Sequence, residues 1–273
     1  MNSRPFFFII NPMKALSNFH THTYLCGHAE GKPVDYALQA QKEGCKGLGF
    51  SDHCPFPKDF PDPWPNVRMD PEQVPLYKQM IDETRKAVDF PIYMGFECEW
   101  DPVYESWYRD KLRGEFGAQY LVLGQHWIMR NGSHPGTQDI KNDQDLNMYA
   151  DQLISGMKTG LFDFLAHPDL FMFSMTEWTD NTKAVSQAII DAAVDLNMPL
   201  EVNGYGLAKR TQETSRGIRQ AYPYVEFWEL AAASKACIIC NSDAHFPKDV
   251  IFNAWRARDF AGRFGINVQD FEL

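Results

Sequence analysis

Positive charge is scarce in this chain of 273 residues: 26 Lys and Arg stand against 36 Asp and Glu, a formal net charge of −10 with pI near 5.2. Phosphate backbones bind basic faces, so no extended nucleic-acid partner is expected, although a local basic pocket stays open. Long hydrophobic runs are missing as well. No window reaches the roughly 20 apolar residues that cross a bilayer, and a soluble protein without membrane contact is expected. The apolar run at 6–10 is shorter than the about 7–15 residues of a secretory core, and no small-residue cleavage site precedes Asn18. Residues 1–12 are expected to form a poorly ordered extension, with Met13 a second candidate start and 13–273 a single domain.

Cysteine is too sparse for a disulfide scaffold, with six in a chain of this length, and a reducing cytoplasm fits that usage. Cys237-x-x-Cys240 has no second pair to complete a zinc knuckle and lies in a strand-like run, so both are expected as buried small hydrophobes. Neither Gly-x-Ser-x-Gly nor Cys-x5-Arg occurs, so nothing points to a serine or cysteine nucleophile.

What the chain does have is a series of short apolar runs that stop on metal-binding side chains. Leu48-Gly-Phe-Ser-Asp-His53, Ile92-Tyr-Met-Gly-Phe-Glu97 and Leu121-Val-Leu-Gly-Gln-His126 end this way. So do Phe162-Asp-Phe-Leu-Ala-His167 and Ile238-Ile-Cys-Asn-Ser-Asp-Ala-His245. Buried strands that each deliver His, Asp or Glu at the carboxyl end describe an α/β barrel with a site at its mouth. Seven strands are expected near 16–20, 46–51, 91–96, 119–124, 162–166, 199–203 and 236–241. Helices are expected over 34–43, 71–88, 145–159 and 222–234. A further one is marked by an apolar stripe at Ala184, Val185, Ala188, Ile189, Ala192, Ala193 and Leu196. Alternating strands and helices imply parallel pairing. The proline-rich stretch from Pro55 to Pro75, with Trp64, cannot be regular structure and is expected as a loop over the barrel mouth, either a lid or a plain connection.

His20-x-His22 on a strand turns both imidazoles to one face, where they can share a cation. Seven of the eight histidines, with Glu97 and Asp243, fall at such positions; His134, in Asn-Gly-Ser-His-Pro-Gly, reads as a surface loop residue. Any one of these could instead be a hydrogen-bonded rim residue, and it is the accumulation that argues for a cluster. Mixed imidazole and carboxylate ligands suit zinc, manganese or iron. Clustered cations can lower the pKa of a bridging water, so that hydroxide can attack a bound substrate without a protein nucleophile. After the sixth strand, Lys209, Arg210 and Arg216 offer cations for an anionic substrate group, with Arg210 preferred and Arg216 next, beside Gly204 and Gly206, which would permit close approach. No general acid can be named, and Asp52 and Asp169 are expected to orient neighbouring histidines.

His20-Thr-His22-Thr, Cys26-x-His28, Ser51-Asp-His53, Gly95-x-Glu97, His126, His167-Pro-Asp and Ser242-Asp-Ala-His245 together resemble the polymerase and histidinol phosphatase (PHP) superfamily. The resemblance is nearest to its monofunctional histidinol-phosphate phosphatases, through His28-Ala, His167-Pro-Asp-Leu and Tyr222-Pro-x3-Phe-Trp. It implies a distorted (βα)7 TIM-like barrel and two to three divalent ions. His20, His22, Glu97 and Asp243 would hold one ion, Glu97, His126 and His167 a second, and His28, His53 and His245 a third. Glu97 and Asp243 would hold and activate the attacking water. The implied activity is hydrolysis of L-histidinol phosphate in histidine synthesis, on a small phosphomonoester. Asn203-Gly-Tyr-Gly departs from the Asn-Thr/Ser-x-Gly expected of that branch, which bears on the phosphate contacts. The alternatives are a related phosphoesterase acting on nucleotides or oligonucleotide ends, and a non-catalytic polymerase-associated module. Exposed aromatic surface could support an oligomer.

Overall fold

Seven short segments rich in branched and aromatic residues pair side by side in parallel. They are β1 (Ser17–Asn18), β2 (Gly47–Phe50), β3 (Ile92–Cys98), β4 (Tyr120–Leu123), β5 (Phe164–Leu165), β6 (Leu200–Asn203) and β9 (Ile238–Asn241). They neighbour one another in that order, and a bridge between Thr21 and Ala244 joins first to last, with His22 N–H donating to the Ala244 carbonyl at 2.9 Å. The result is a nearly closed barrel. Between β6 and β9 the chain inserts an antiparallel hairpin, β7 (Gln212–Thr214) and β8 (Gly217–Arg219), which stands outside it. This computed structural model describes residues 16–130 and 132–273; the extension expected over 1–12 lies outside the described residues. Among the described residues no helix is long and apolar enough to cross a membrane.

Period-two alternation divides the strand side chains into two cores. Phe19, Tyr120, Val122, Phe164, Ala166 and Ile239 fill the barrel interior. Leu48, Phe50, Met94, Phe96, Leu121, Leu123, Leu165, Leu200 and Val202 point outward and join the helices in the main core. Tyr120 spans the interior and donates to the Phe19 carbonyl at 2.9 Å. Its hydroxyl lies 2.3 Å from where a Cβ at Gly49 would fall and its ring 2.6 Å from one at Gly95, which explains glycine at two otherwise apolar strand positions.

The surrounding helices are α1 (Pro33–Lys42), α2 (Val74–Thr84), α3 (Asp143–Lys158), α4 (Asp180–Leu196), α5 (Val225–Ala232) and α6 (Phe252–Gly262). In α4 the buried face is Val185, Ser186, Ile189, Ile190 and Ala193, so the expected stripe is rotated; Ala184, Ala188 and Leu196 face outward. Thr179 and Thr182 form a reciprocal cap at its start, and left-handed Asn197 ends it. A short 3-10 turn (Pro71–Gln73) precedes α2, and the helix stops at Thr84 rather than reaching Val88. Besides the hairpin, two longer helices were not expected: a π-helix, Trp107–Glu115, and α6, whose buried face is largely small, Asn253, Ala254, Ala257 and Ala261 with Phe260.

Candidate metal centre

The carboxyl ends of the strands converge at one mouth, and all of them except β6 carry a candidate ligand there. Glu97 is the penultimate residue of β3, and its carboxylate lies over Gly124: a Cβ on that glycine would fall 2.1 Å from Glu97 Oε1. Beyond β5 and β9 the backbone turns left-handed at His167 (φ 30°) and Asp243 (φ 49°), a conformation costing about 1–3 kcal/mol for residues with a side chain. Both turns aim a side chain into the mouth. His20 and His22 follow β1, and His53 pairs with Glu97 in an isolated bridge between the continuation of β2 and β3. A 3-10 turn (Tyr24–Cys26), closed by left-handed Gly27, carries His28 to the outer rim.

Glu97 is the centre. Its Oε1 lies 2.8 Å from His167 Nε2, 3.4 Å from His20 Nε2 and 3.6 Å from His126 Nε2. Its Oε2 lies 3.0 Å from His53 Nδ1 and 3.5 Å from His22 Nε2. Asp243 Oδ1 is 3.1 Å from His22 Nε2 and 3.6 Å from His20 Nε2, and His245 Nε2 meets His28 Nε2 at 2.9 Å. All nine candidate ligands are therefore in one cluster. Among the groups close enough to share an ion, His20, His22 and Asp243 fall inside the first expected set, His20 with Glu97 and His167 and His22 with His53 and His245 cut across the sets, and Cys26 joins His28 and His245.

Whether this arrangement suits cations can be judged from its unsatisfied atoms. His20 Nε2, both ring nitrogens of His22, His53 Nδ1 and Asp243 Oδ1 are buried without a hydrogen-bond partner, although several lie close to a carboxylate. Leaving such groups buried and unpaired costs about 1–3 kcal/mol each, and a cluster of converging lone pairs is what divalent cations satisfy. The electrostatics agree. Burial alone would raise the Glu97 carboxyl, yet His126, His20, His53 and the hydrogen bond from His167 hold it well below the usual range. Asp243 is likewise lowered against burial by His20, His22 and His245. Burial would lower His20 and His22, but Glu201, Asp243 and Glu97 raise the first, and Asp243, Cys26 and Glu97 the second. His53 is lowered by burial, and His245 is pushed down to about 3 by burial and by His22.

Two carboxylates that sequence reasoning missed stand behind the cluster. Glu201, fully buried on β6, accepts from His20 Nδ1 at 2.9 Å and from the side chains of Asn203 and Asn241. Glu99 contacts His126 Nδ1 at 3.0 Å and is itself paired with the buried Arg68 at 3.3 Å. A carboxylate inside Leu200-Glu-Val-Asn203 and the Glu97-x-Glu99 alternation were the available signals. By holding the outer ring nitrogen, each turns Nε2 toward Glu97. Asp52 accepts from the backbone and hydroxyl of Thr23, with His22 Nδ1 3.8 Å away, and burial pushes its carboxyl up to about 7. Asp169 does not orient a histidine as expected. It accepts from Tyr224 N–H and Trp228 Nε1 and so anchors the start of α5, with burial again pushing it up to about 7.

Several expected roles are corrected. Arg210 is exposed and does not line the mouth, and Arg216 is committed to Glu226 at 2.6 Å on the hairpin's outer side. Lys209 alone of the three lines the cleft, its ammonium 4.0 Å from the centre of the Tyr205 ring. Gly204 and Gly206 serve protein packing, not substrate: their missing Cβ atoms leave room for the carbonyls of Asn253 and Tyr222. His134 is not a surface residue; its side chain, 8% exposed, packs between Phe60 and Trp127. The cleft measures about 220 Å³ and adds Trp64, Val67, Phe173, Tyr205 and Tyr222 to the ligand cluster, so the proline-rich loop does reach the mouth.

A family model described as the PHP domain matches residues 18–204. The chain belongs to the PHP domain family. Over 264 residues this PHP domain is 31% identical to a "Probable histidinol-phosphatase" of Deinococcus radiodurans, covering 92% of this chain and 96% of that protein. The histidinol-phosphatase of Bacillus subtilis is 24% identical over 262 residues, covering 85% of this chain and 94% of the relative. Among solved structures, histidinol phosphate phosphatase from Lactococcus lactis, complexed with zinc, L-histidinol and phosphate, superposes with a TM-score of 0.69 at 14% identity. That match covers 94% of this chain and 97% of the other. At that identity the likeness speaks for the fold, a PHP-type barrel.

Proposed function

We propose that this PHP domain is a divalent-metal-dependent phosphomonoesterase that hydrolyses L-histidinol phosphate to L-histidinol and phosphate. The observation that carries the proposal is Glu97, a buried carboxylate within 3.6 Å of five imidazoles, in a chain similar over nearly its whole length to histidinol-phosphatases. In this assignment His20, His22, Glu97 and Asp243 would hold one cation and Glu97, His126 and His167 a second. His28, His53 and His245 would hold a third. When bound, such cations supply a water of lowered pKa as nucleophile and neutralise the phosphoryl oxygens.

The chain's own residues bind and orient. Glu201 and Glu99 hold His20 and His126 in the tautomer that presents Nε2 inward. Lys209, the one Lys or Arg lining the cleft among the described residues, meets a phosphate oxygen facing away from the cations. Trp64, Phe173, Tyr205 and Tyr222 wall the organic half and favour a small flat ring such as imidazole over bulk water. A lone lysine offers no track for further phosphates, which disfavours nucleotides and oligonucleotide ends. A non-catalytic module has no evident reason to keep all nine candidate ligands in one cluster.

Phosphate release from histidinol phosphate, nucleoside monophosphates and a phosphodiester, with zinc or manganese, tests this. A kcat/KM at least about 100-fold higher for histidinol phosphate is expected. Glu97→Ala should lose both activity and most bound metal by elemental analysis. Preference for a nucleotide or diester would remove the substrate, and full activity in metal-free protein would remove the whole proposal.

A further inference from the structure

Five cysteines have simple explanations and one does not. Cys45, Cys54, Cys98 and Cys240 are buried in the main hydrophobic core, and Cys237 packs against the interior cluster. Cys26 is fully buried yet belongs to none of the hydrophobic clusters. Its surroundings are polar: its sulfur and one ring nitrogen from each of His28 and His245 all lie within 4.8 Å of one another, and it forms a second such group with His22 and Asp52. His22 is 1% exposed, and neither of its ring nitrogens has a hydrogen-bond partner.

The local backbone is built to hold this arrangement. Gly27 takes φ 79°, which returns its N–H to the Tyr24 carbonyl and closes the 3-10 turn. The Asn66 carbonyl of the proline-rich loop presses on the same glycine, where a Cβ would fall 2.2 Å away. Cys26 and His28 are thereby placed side by side. His28 Nδ1 is occupied by the Cys26 carbonyl at 3.0 Å, which leaves Nε2 facing His245 Nε2 at 2.9 Å. Bonds of about 2.0–2.3 Å put neighbouring ligands of a tetrahedral ion roughly 3.3–3.7 Å apart, so small rotations of these side chains would close on one cation.

We propose that the Cys26 sulfur is a ligand of the outer cation, alongside His28 and His245, and that it makes this position select zinc over manganese. The inference rests on the outer-cation part of the function proposed above. Thiolates favour zinc, whereas manganese favours oxygen donors, so one sulfur in place of an oxygen shifts the preference. Coordination breaks the S–H bond, the electron pair goes to the cation and the proton leaves to solvent; no oxidant is required.

The test reads coordination directly rather than activity. Protein loaded with zinc is measured by X-ray absorption, and protein loaded with cobalt by near-ultraviolet charge-transfer absorption. Cys26→Ser is compared with Cys237→Ser, each checked for folding by circular dichroism. The wild type and Cys237→Ser should show a Zn–S distance of about 2.3 Å and a sulfur-to-cobalt band, and Cys26→Ser neither. Cys26→Ser should also bind its outer zinc at least tenfold more weakly and lose its preference over manganese. Three bound cations with only nitrogen and oxygen scattering, or a band that survives Cys26→Ser, would overturn this inference alone. A wild type that binds no more than two cations would remove the outer site from both proposals.

Discussion

Glu97 is legible as a carboxylate at the end of an apolar run, but the residue that makes room for it is not. Gly124 carries no chemistry, and in Leu123-Gly-Gln-His126 it looks like any strand glycine. The structure shows that its absent side chain is the space Glu97 occupies. Gly124→Ala would therefore push Glu97 off the five imidazoles it contacts, since strand backbone yields less readily than a carboxylate. The expected result is loss of at least one bound metal and a fall in kcat/KM of about 100-fold or more, with the fold intact by circular dichroism. An alanine variant with full metal content would show that the carboxylate has another place to sit. Glu201→Gln probes the layer behind. It keeps the shape beside His20 Nδ1 and removes the charge that raises that imidazole, so metal affinity should drop by about 10–100-fold while metal-free stability changes little. Affinity unchanged in calorimetry would leave Glu201 a packing residue.

At the level of elements, most barrel strands were readable because each is a short apolar run with a polar terminator, and parallel pairing keeps both faces buried. α6 escaped because its buried face is largely alanine and asparagine, with arginines interspersed, so hydrophobic periodicity is faint. The π-helix at Trp107–Glu115 escaped because charge dominates it and its period is not that of an α-helix. The hairpin after β6 misled for a different reason: a run of cations says nothing about which side of the rim each will face. The turn Gly206–Ala208 settles that, held through the Leu207 carbonyl by Gln220 and Arg256, and it turns Lys209 inward over Tyr205. Lys209→Ala should raise KM for the phosphate ester roughly tenfold or more, the loss of a charged hydrogen bond, without changing metal content. Arg216→Ala, which breaks only the pair with Glu226, should leave KM where it is. Steady-state kinetics on the two variants decide between the inward and outward cations, and a reversed pattern would move the phosphate to the hairpin's outer side.

For the molecule as a whole, metal binding and protonation compete for the same atoms. Without cations, burial would lower His20, His22, His28 and His126, but neighbouring carboxylates and Cys26 hold all four above the ordinary imidazole value. A group with a raised folded pKa contributes stability that is complete below its unfolded value, about 6.5, and is lost as pH rises through the folded one. Burial would raise the Cys26 thiol, but the neighbouring His22 and His28 imidazoles bring it down to about 6, and this single group works in the opposite direction. His53 and His245, both lowered, matter only on the acid side of 6.5. Four imidazoles outweigh one thiol, so chelated protein should become less stable between about pH 7 and 9. Cations require those imidazoles neutral, so their affinity should rise over the same interval, by about tenfold per pH unit for each proton displaced. The gap in Tm between metal-loaded and chelated protein should therefore widen with pH. Thermal unfolding with and without chelator at pH 6, 7, 8 and 9 measures it, and parallel curves would mean that the cations enter a site already free of protons, contrary to the charge balance around Glu97 and Asp243.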